Sequence, residues 1–572
     1  MLLLRPTCAA LVILSGCALA LPTLAQPQAP AAAPTAEQVN QPLVFQGLGP
    51  HSRKVTTTNL KAQTYFNQGL NWMFSFNHDE AIRSFEHAAK LDPACAMAWW
   101  GIAICNGPHI NAPVMEERQC SAAWDALQKA KANLKNATPI EKALITALEA
   151  RYVDPASPPG GKLPLSMDER RPFDQAYADA MAKVYAAHKD DADVATMYAE
   201  SLMDLRPWDL YEVGTHAPRP ETGPAVAALE HALKLNPNHP GANHYYIHAI
   251  EGSNTPEKAD EVADRLRTLV PASGHMVHMP SHIDARVGRW ALAAEQNRKA
   301  IEVDRTYREL SPTHGIYHLY MAHDDHFLAY TCMMLGRREE AVRAANEMVG
   351  KIPADFLVAA APFVDAYTPI QTEVLVRFAM WDEVLAFPQP PEHLPITRAL
   401  WRQARATAYN AKGMRSEALE EHAAFRKAKD AVPKDAMMAQ NPAHTVLELA
   451  DLLLSGELKY FAGNLDAAVA DLNKAAEIED SLRYIEPPDW VQPVRHTLGA
   501  ILLDAGRAKD AEAVYRTDLQ RNPNNGWALF GLAKSLKAQG EDSKDAEQRY
   551  KKAWEHADTP LHASCLCLPE KK

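Results

Sequence analysis

Apolar and small residues recur along the chain in blocks that end in proline. Two distant blocks, AIRSFEHAAKLDP (Ala81–Pro93) and AEAVYRTDLQRNP (Ala511–Pro523), each hold an alanine, an aromatic residue four positions later and a proline eight positions after that. A glycine stands twelve residues before each alanine, at Gly69 and Gly499. Because residues four apart share one face of an α-helix and proline ends a helix, each block predicts a helix with one packed face.

The same order of residues recurs at a fixed period. The blocks LEHALKLNP and ADRLRTLVP end at Pro237 and Pro271, which are 34 residues apart. Further units lie near Pro353, Ala418 and Ala468. This pattern resembles the tetratricopeptide repeat, a unit of two helices in 34 residues, over most of residues 60–556. The resemblance implies an all-α fold, an α-solenoid of tetratricopeptide-type helix pairs whose apolar faces are buried only against neighbouring pairs.

The repeat pattern also divides the chain. We predict a signal peptide at 1–25, a Pro/Ala-rich linker and lead-in at 26–58, N-terminal repeat units with spacers at 59–222, His-rich repeat units at 223–353, an irregular helical spacer at 354–400, C-terminal repeat units at 401–556 and a tail with a Cys-x-Cys pair at 557–572. Irregular spacers are expected at about 108–175, 205–222 and 305–322 as well.

The first 25 residues predict export. Arg5 precedes the apolar run Ala9–Leu14, and TLAQ offers a small-residue cleavage site after Ala25. The protein is therefore expected in the periplasm or secreted. The alternative is an outer-membrane lipoprotein anchored through Cys17 of LSGC, although the residues after Cys17 are apolar where a lipoprotein tether is usually polar. No later stretch reaches about 18 apolar residues, so no transmembrane span is predicted.

Charge and cysteine content narrow the function classes. The formal net charge of −12, without a basic stripe, predicts no nucleic-acid partner. In an oxidising compartment Cys105 and Cys120 form a candidate disulfide. Burial as small apolar residues is an equally good interpretation of Cys95 and Cys332. The Cys-x-Cys tail has no second ligand pair and is a weak metal motif.

Histidines cluster in a few neighbouring units, as in GHMVHMPSH (Gly274–His282), with three histidines and two methionines in nine positions. In tetratricopeptide proteins the second, fifth, ninth and twelfth residues of a repeat face the concave groove. These positions hold His244, His248 and Glu251 in one unit, His275, His278 and His282 in the next, and His323, His326 and Tyr330 in a third. The 34-residue spacing predicts that His244 lies beside His278, and His248 beside His282.

Seven inward imidazoles and Glu251 predict a transition-metal site of copper, zinc or iron, because neutral imidazoles suit these ions. His244, His248 and Glu251 alone would form a two-histidine, one-carboxylate face, whereas two groups of three histidines would suit a dinuclear copper centre. The methionines nearby favour copper, or else belong to the core; they are Met276, Met279 and Met321. HYYIH has Tyr245 where a zinc protease carries its glutamate, which argues against that class. The alternatives to a metal are a structural polar network and capture of an anionic ligand.

Catalysis needs an acid or base beside the metal. The catalytic candidates are Glu251, Asp324 and Tyr330, and the substrate-binding candidates are Arg206, Glu200 and Tyr246. Arg206 would bind a substrate carboxylate, or else form a structural ion pair with Asp209. His109 and Asn111 are expected on a rim of the groove. His314 and His318, in the 305–322 spacer, are weaker site candidates.

The blocks NHYYIHAIE, GHMVHMPSHI and HDDHFL together resemble a group of exported bacterial tetratricopeptide proteins, which implies no particular reaction. We therefore expect an exported solenoid with a metal centre in its groove. It would act as a metal-dependent enzyme on a small-molecule or peptide ligand, with oxidation preferred to hydrolysis. The alternative is a protein-interaction or assembly scaffold for other periplasmic proteins, with a structural or cargo metal.

Overall fold

Consecutive helices pack against one another along the whole described chain. The computed structural model describes residues 43–311 and 315–570. The first helices are α1 (Leu60–Phe74), α2 (His78–Leu91), α3 (Ala96–Cys105), α4 (Glu117–Ala132), α5 (Pro139–Glu149), α6 (Met167–Ala187), α7 (Ala192–Met203), α8 (Thr222–Leu235) and α9 (Pro240–Glu251). The middle of the chain holds α10 (Asp260–Leu266), α11 (Gly274–His278), α12 (Pro280–Arg286), α13 (Trp290–Leu310), α14 (Tyr317–Leu335) and α15 (Arg338–Lys351).

Short helices interrupt the array before the C-terminal pairs begin. They are α16 (Ala354–Ala359), α17 (Ala361–Val364), α18 (Ile370–Arg377) and α19 (Trp381–Ala386). The remaining helices are α20 (Pro395–Ala411), α21 (Arg415–Ala431), α22 (Ala443–Phe461), α23 (Leu465–Asp480), α24 (Val494–Asp504), α25 (Ala508–Arg521), α26 (Gly526–Gln539) and α27 (Lys544–Ala553). The strands β1 (Met437–Met438) and β2 (Asn441–Pro442) form one small antiparallel pair.

In two of the helix pairs, an aromatic ring packs between a glycine of its own pair and a glycine of the next helix. The ring of Phe85 in α2 lies so close to Gly69 and Gly101 that a Cβ there would come within 2.8 Å and 2.6 Å of it. Tyr515 in α25 occupies the same place against Gly499 and Gly531, as expected from the sequence pattern. This packing confirms the predicted all-α solenoid of tetratricopeptide-type helix pairs.

The solenoid curls so that its two ends cover its middle. Tyr307 near the end of α13 donates to the Glu80 carboxylate of α2 over 3.0 Å. Trp527 of α26 donates to the carbonyl of Met333 in α14 over 2.9 Å. The central helices α9 and α14 are consequently buried on almost every side, which is the environment that suits helices without a polar face. The concave groove expected from the repeat pattern is therefore covered by other parts of the chain.

The predicted spacer at 305–322 is mostly helical. Helix α13 continues to Leu310 and α14 begins at Tyr317. Arg305 and Glu309 lie on the exposed side of α13, whereas Tyr307 is buried. The charged stretch is thus the solvent side of a helix. The spacer at 108–175 likewise contains α4 and α5.

The proposed Cys105–Cys120 disulfide is wrong. Both thiols are free and buried, as are Cys95 and Cys332, so these four behave as small apolar core residues. The structure instead pairs Cys565 with Cys567 in the tail. The predicted signal peptide, the linker up to residue 42, Cys17 and His314 lie outside the described residues. None of the helices described here combines the length and apolar composition that a membrane span requires.

We expect Gly101→Ala to destabilise the fold by about 1–3 kcal/mol, because the new methyl group must displace the buried Phe85 ring. Gly350→Ala is the matched control, since Gly350 also lies in a helix but has no atom within 4 Å of its added Cβ. This control is expected to raise stability by up to about 1 kcal/mol. Urea unfolding followed by circular dichroism measures both. Equal changes in the free energy of unfolding for the two substitutions would show that Phe85 does not pack tightly against Gly101.

Candidate metal centre

The first group of imidazoles joins α9 to α11. His244 and His248 are four residues apart and share one face of α9. The Nε2 atom of His244 lies 3.1 Å from Nε2 of His248 and 3.1 Å from Nε2 of His275 in α11. All three side chains are buried. We call this group triad A.

The second group joins α11, α12 and α14. The Nε2 atoms of His278 and His282 are 2.7 Å apart, and a ligand atom of His323 lies within 4.8 Å of both. Pro280, between the two, has no N–H to give the helix and begins α12, yet the two histidines still face the same side. We call His278, His282 and His323 triad B.

The two triads are neighbours. The ring centroids of His248 and His282 are 5.8 Å apart, and those of His275 and His278 are 6.1 Å apart. His248 therefore lies beside His282, as the 34-residue spacing predicts. His244, in contrast, lies against His275 rather than His278.

Acceptor groups behind the rings fix the protonation of two imidazoles. His244 Nδ1 donates over 2.7 Å to the carbonyl of Phe74, which ends α1 and has no partner within that helix. His278 Nδ1 donates over 2.6 Å to Asn297 Oδ1, and Asn297 is oriented by its own amide, which donates to the carbonyl of Ala293. A proton on Nδ1 leaves a lone pair on Nε2, which then points into the triad.

Glu251 connects the triads from behind. Its two oxygens accept from His248 Nδ1 over 3.0 Å and from His282 Nδ1 over 2.6 Å. The sequence predicts Glu251 as a ligand beside His244 and His248. The structure places its carboxylate on the opposite side of the His248 ring from the His244 contact, so one ion could not be held by all three. Glu251 instead orients the rings. Burial raises its pKa, but His248 and His282 outweigh burial and lower the pKa to about 2.

Most of the imidazoles are held neutral by their surroundings. Burial, together with neighbouring histidines, lowers the pKa of His244, His275, His278 and His323 well below the usual value. His282 is the exception. Burial lowers its pKa as well, but Glu486 at 2.6 Å and Glu251 outweigh burial and raise it to about 10.

Phe76 is the centre of the packing around triad A. Its ring centroid lies 4.5 Å from His244 and 5.8 Å from both His248 and His275. It also stacks on His109, at 4.5 Å. The backbone of Phe76 has a φ of +56°, a left-handed conformation that costs about 1–2 kcal/mol for a non-glycine residue. The fold holds this strained residue where it supports the imidazoles.

A cavity of about 320 Å³ opens beside the triads. Its histidine side is formed by His248, His275, His282, His323 and His326. Both triads therefore present rings to the same space. The remaining wall is mostly apolar and aromatic.

The structure does not bring the predicted catalytic residues together. Asp324 is buried behind triad B, with Oδ1 3.3 Å from His278 Nδ1, and burial and Asp304 raise its pKa. Tyr330 lines a separate cavity of about 580 Å³. His326, expected as a ligand, joins neither triad and lies on the wall of the 320 Å³ cavity.

The three predicted substrate residues do not line the 320 Å³ cavity. Arg206 forms an ion pair with Glu221 over 3.1 Å, rather than with Asp209. Tyr246 donates to Glu230 over 3.3 Å. Glu200 is buried elsewhere, where burial and Asp204 raise its pKa to about 8.

Two other residues from the predicted segments do reach the cavity. Trp208, two residues after Arg206, covers triad A at 5.6 Å from His248 and donates over 3.0 Å to Asn111. Asn111 lines the cavity, as expected for the rim, whereas His109 is buried behind Phe76.

Several residues of the site carry no signal in the sequence. Asn297 and Glu486 contact the imidazoles from outside the histidine blocks, and Phe76 does so from the turn between α1 and α2. No fixed spacing relates them to the histidines, so only the folded chain reveals them. The methionines Met276, Met279 and Met321 lie in the hydrophobic core, as the alternative interpretation predicts.

Two further groups of possible ligand atoms are weaker candidates. His51 and His239 both contact Asp193 Oδ1 at 2.9 Å, but the Arg53 guanidinium binds the same carboxylate and disfavours a cation there. Glu457 lies near Cys565 and Cys567, whose sulfurs are bonded to each other.

Comparison with known proteins supports the repeat assignment. Residues 61–95 match the family model described as tetratricopeptide repeat. Among solved structures, the human IFIT1 dimer with m7Gppp-AAAA is 14% identical, with 87% of this chain and 91% of that chain covered and a TM-score of 0.33. Yeast Tom70 is 12% identical, with 86% and 91% covered and a TM-score of 0.27. These scores are too low to carry an argument about function. No curated protein matches the sequence.

We expect Phe76→Ala to destabilise the metal-free protein by about 3–5 kcal/mol, because it removes a buried ring that contacts several imidazoles. The control is Phe363→Ala, since Phe363 is 49% exposed and its loss is expected to cost about 1 kcal/mol or less. Urea unfolding after dialysis against a chelator measures both. A cost at position 76 no larger than at position 363 would show that the ring does not support the site.

Proposed function

We propose that this tetratricopeptide-repeat solenoid is an exported metalloenzyme that holds two transition-metal ions, one in each histidine triad, and acts on a small substrate in the adjoining cavity. Copper is the preferred metal, with zinc and iron as alternatives. Oxidation is preferred to hydrolysis. The export signal predicted from residues 1–25 supports a periplasmic or secreted location.

The observation that carries this proposal is the convergence of Nε2 lone pairs. His244 and His278 each hold a proton on Nδ1, so their Nε2 atoms face His248 and His282 as acceptors, at 3.1 Å and 2.7 Å. In triad A, where His248 Nδ1 donates to Glu251, both Nε2 atoms are acceptors and repel each other unless a positive charge lies between them. In triad B, the raised pKa of His282 lets its Nε2–H donate to His278, and a metal ion would replace that proton. Ligand atoms bound to one ion at about 2.0–2.1 Å in tetrahedral geometry are about 3.3 Å apart. A bound metal ion thus relieves the repulsion with little movement.

The donor set supports copper. Both triads present imidazole nitrogen only, and imidazole suits copper, zinc and iron. In di-iron carboxylate proteins, glutamates themselves ligate the metals, whereas here the Glu251 carboxylate lies behind the rings. The absence of an inner carboxylate argues against a di-iron centre. Zinc also binds three histidines, and we prefer copper because two adjacent three-histidine sites suit a dinuclear copper centre, and with it oxidation of the substrate.

The cavity favours an enzyme over a scaffold. A structural metal site is closed by protein ligands, whereas a catalytic one leaves a position open toward substrate. Each triad supplies three imidazoles, and rings from both face the 320 Å³ cavity. A fourth position on each ion would therefore be accessible to a molecule in that cavity.

We expect protein purified without a histidine tag to contain two metal ions per chain by ICP-MS. The double variant His244→Ala/His275→Ala removes two ligands of triad A and should lower the content to one ion. His278→Ala/His323→Ala should do the same for triad B. The control is His393→Ala/His556→Ala, at two exposed histidines, which should retain both ions. Metal-free wild-type protein that takes up no copper, zinc or iron would contradict the proposal.

We expect Glu251→Gln to weaken metal binding by about 10- to 100-fold, because residues that orient metal-binding histidines commonly have effects of this size. The amide can accept only one of the two Nδ1–H bonds, and its NH₂ group would oppose the other. Competition with a chromophoric chelator measures the affinity. Glu257→Gln is the control, at a glutamate that contacts neither triad. Unchanged affinity in Glu251→Gln would show that Glu251 does not orient the ligands.

A further inference from the structure

The walls of the 320 Å³ cavity select a flat, largely apolar ligand. Rings of Trp208, Tyr320, Phe363 and Tyr367 surround it, and aliphatic side chains fill most of the space between them. Aromatic walls of this kind favour stacked or edge-on contact with another ring. The volume is at the lower end of the range of about 300–1,000 Å³ for small-molecule pockets. The cavity therefore fits a compound of about one ring.

The charge of the walls argues against an anionic ligand. Among the described residues no lysine or arginine lines the cavity. The one carboxylate in the wall, Glu486, already contacts His282. In the metal-free protein, a carboxylate or phosphate group on the ligand would find no lysine or arginine in the wall, and the charge of His282 is already balanced by Glu251 and Glu486. Burying such an unpaired charge is costly.

His326 offers a ligand a hydrogen-bonding group in the wall. His326 is only 6% exposed and lines the cavity, and its Nδ1 has no hydrogen-bond partner within the described chain. A buried polar atom without a partner costs about 1–3 kcal/mol. The His326 imidazole makes no hydrogen bond to the described part of the chain, so a ligand hydroxyl group can bind this ring once it turns a nitrogen toward the cavity, while the ring of the ligand occupies the apolar part.

We propose that the cavity binds a small uncharged aromatic compound with a hydroxyl group, that is, a simple phenol, whose hydroxyl hydrogen-bonds to His326 on the histidine side. This proposal rests on the proposed function, because the phenol would be the substrate of the metal centre. His326 is thus a substrate-binding residue and does not ligate the metals.

The test is isothermal titration of the full chain with 4-methylphenol, toluene and 4-methylbenzoate, both as purified and after dialysis against EDTA. We expect 4-methylphenol to bind about three- to tenfold more tightly than toluene, the contribution of one hydrogen bond. It should bind at least tenfold more tightly than 4-methylbenzoate. Tighter binding of 4-methylbenzoate would overturn the proposal.

Substitutions in the cavity wall test whether 4-methylphenol binds there. His326→Leu should remove the preference for 4-methylphenol over toluene, whereas His556→Leu, at an exposed histidine, should leave it intact. Ile352→Trp places a large ring in the cavity wall and should weaken 4-methylphenol at least tenfold, with an unchanged thermal midpoint and metal content. Unchanged affinity in Ile352→Trp would overturn the proposal.

Metal content separates this proposal from the proposed function. Protein that contains no metal but still binds 4-methylphenol in the cavity contradicts the metalloenzyme and leaves this inference standing. Protein with two metal ions that does not distinguish 4-methylphenol from 4-methylbenzoate contradicts this inference and leaves the metalloenzyme standing.

Discussion

The hydrogen bonds to the backs of the imidazole rings are the interactions on which the site depends. Each Nδ1 that donates to a carbonyl, amide or carboxylate oxygen turns an Nε2 lone pair toward the centre of a triad. Without these bonds the rings could rotate, exchange tautomers or share protons. With them, the protein holds converging acceptors in a buried place where a positive ion is the natural complement.

The curled solenoid makes these bonds possible. The partners of the imidazoles come from distant parts of the chain: Phe74 ends the first helix, Asn297 lies in the middle of α13, and Glu486 follows α23. An open array of helix pairs would expose its groove to water, and the histidines would be ordinary surface residues. Covering the groove lowers the local dielectric, which strengthens the hydrogen bonds and raises the cost of any unpaired polar group.

The sequence allowed the repeat architecture and the clustering of most of the central histidines to be predicted, because both depend on local spacing. The wedge of Phe85 against Gly69 and Gly101 follows from positions within one period, and His244 and His248 share a face because they are four residues apart. The sequence did not allow the separate roles of the site residues to be predicted. Glu251 accepts from the Nδ1 atoms of His248 and His282, and His326 lines the cavity, because each depends on how the side chains turn in the folded chain and not on their spacing.

The contacts made by the closed solenoid were also beyond prediction. Trp208 covers triad A where Arg206 was expected to bind substrate, since the loop after α7 directs the indole inward and leaves the guanidinium to Glu221. The spacing of residues in the sequence does not predict which side chain a loop directs inward.

In the proposed metal centre, each triad binds one ion through Nε2. Anomalous diffraction at the copper edge, from crystals of copper-loaded protein, tests this arrangement most directly. We expect two peaks, each about 2.0–2.1 Å from the Nε2 atoms of one triad, with Glu251 outside bonding distance. A single peak, or a peak bonded to the Glu251 carboxylate, would contradict this arrangement.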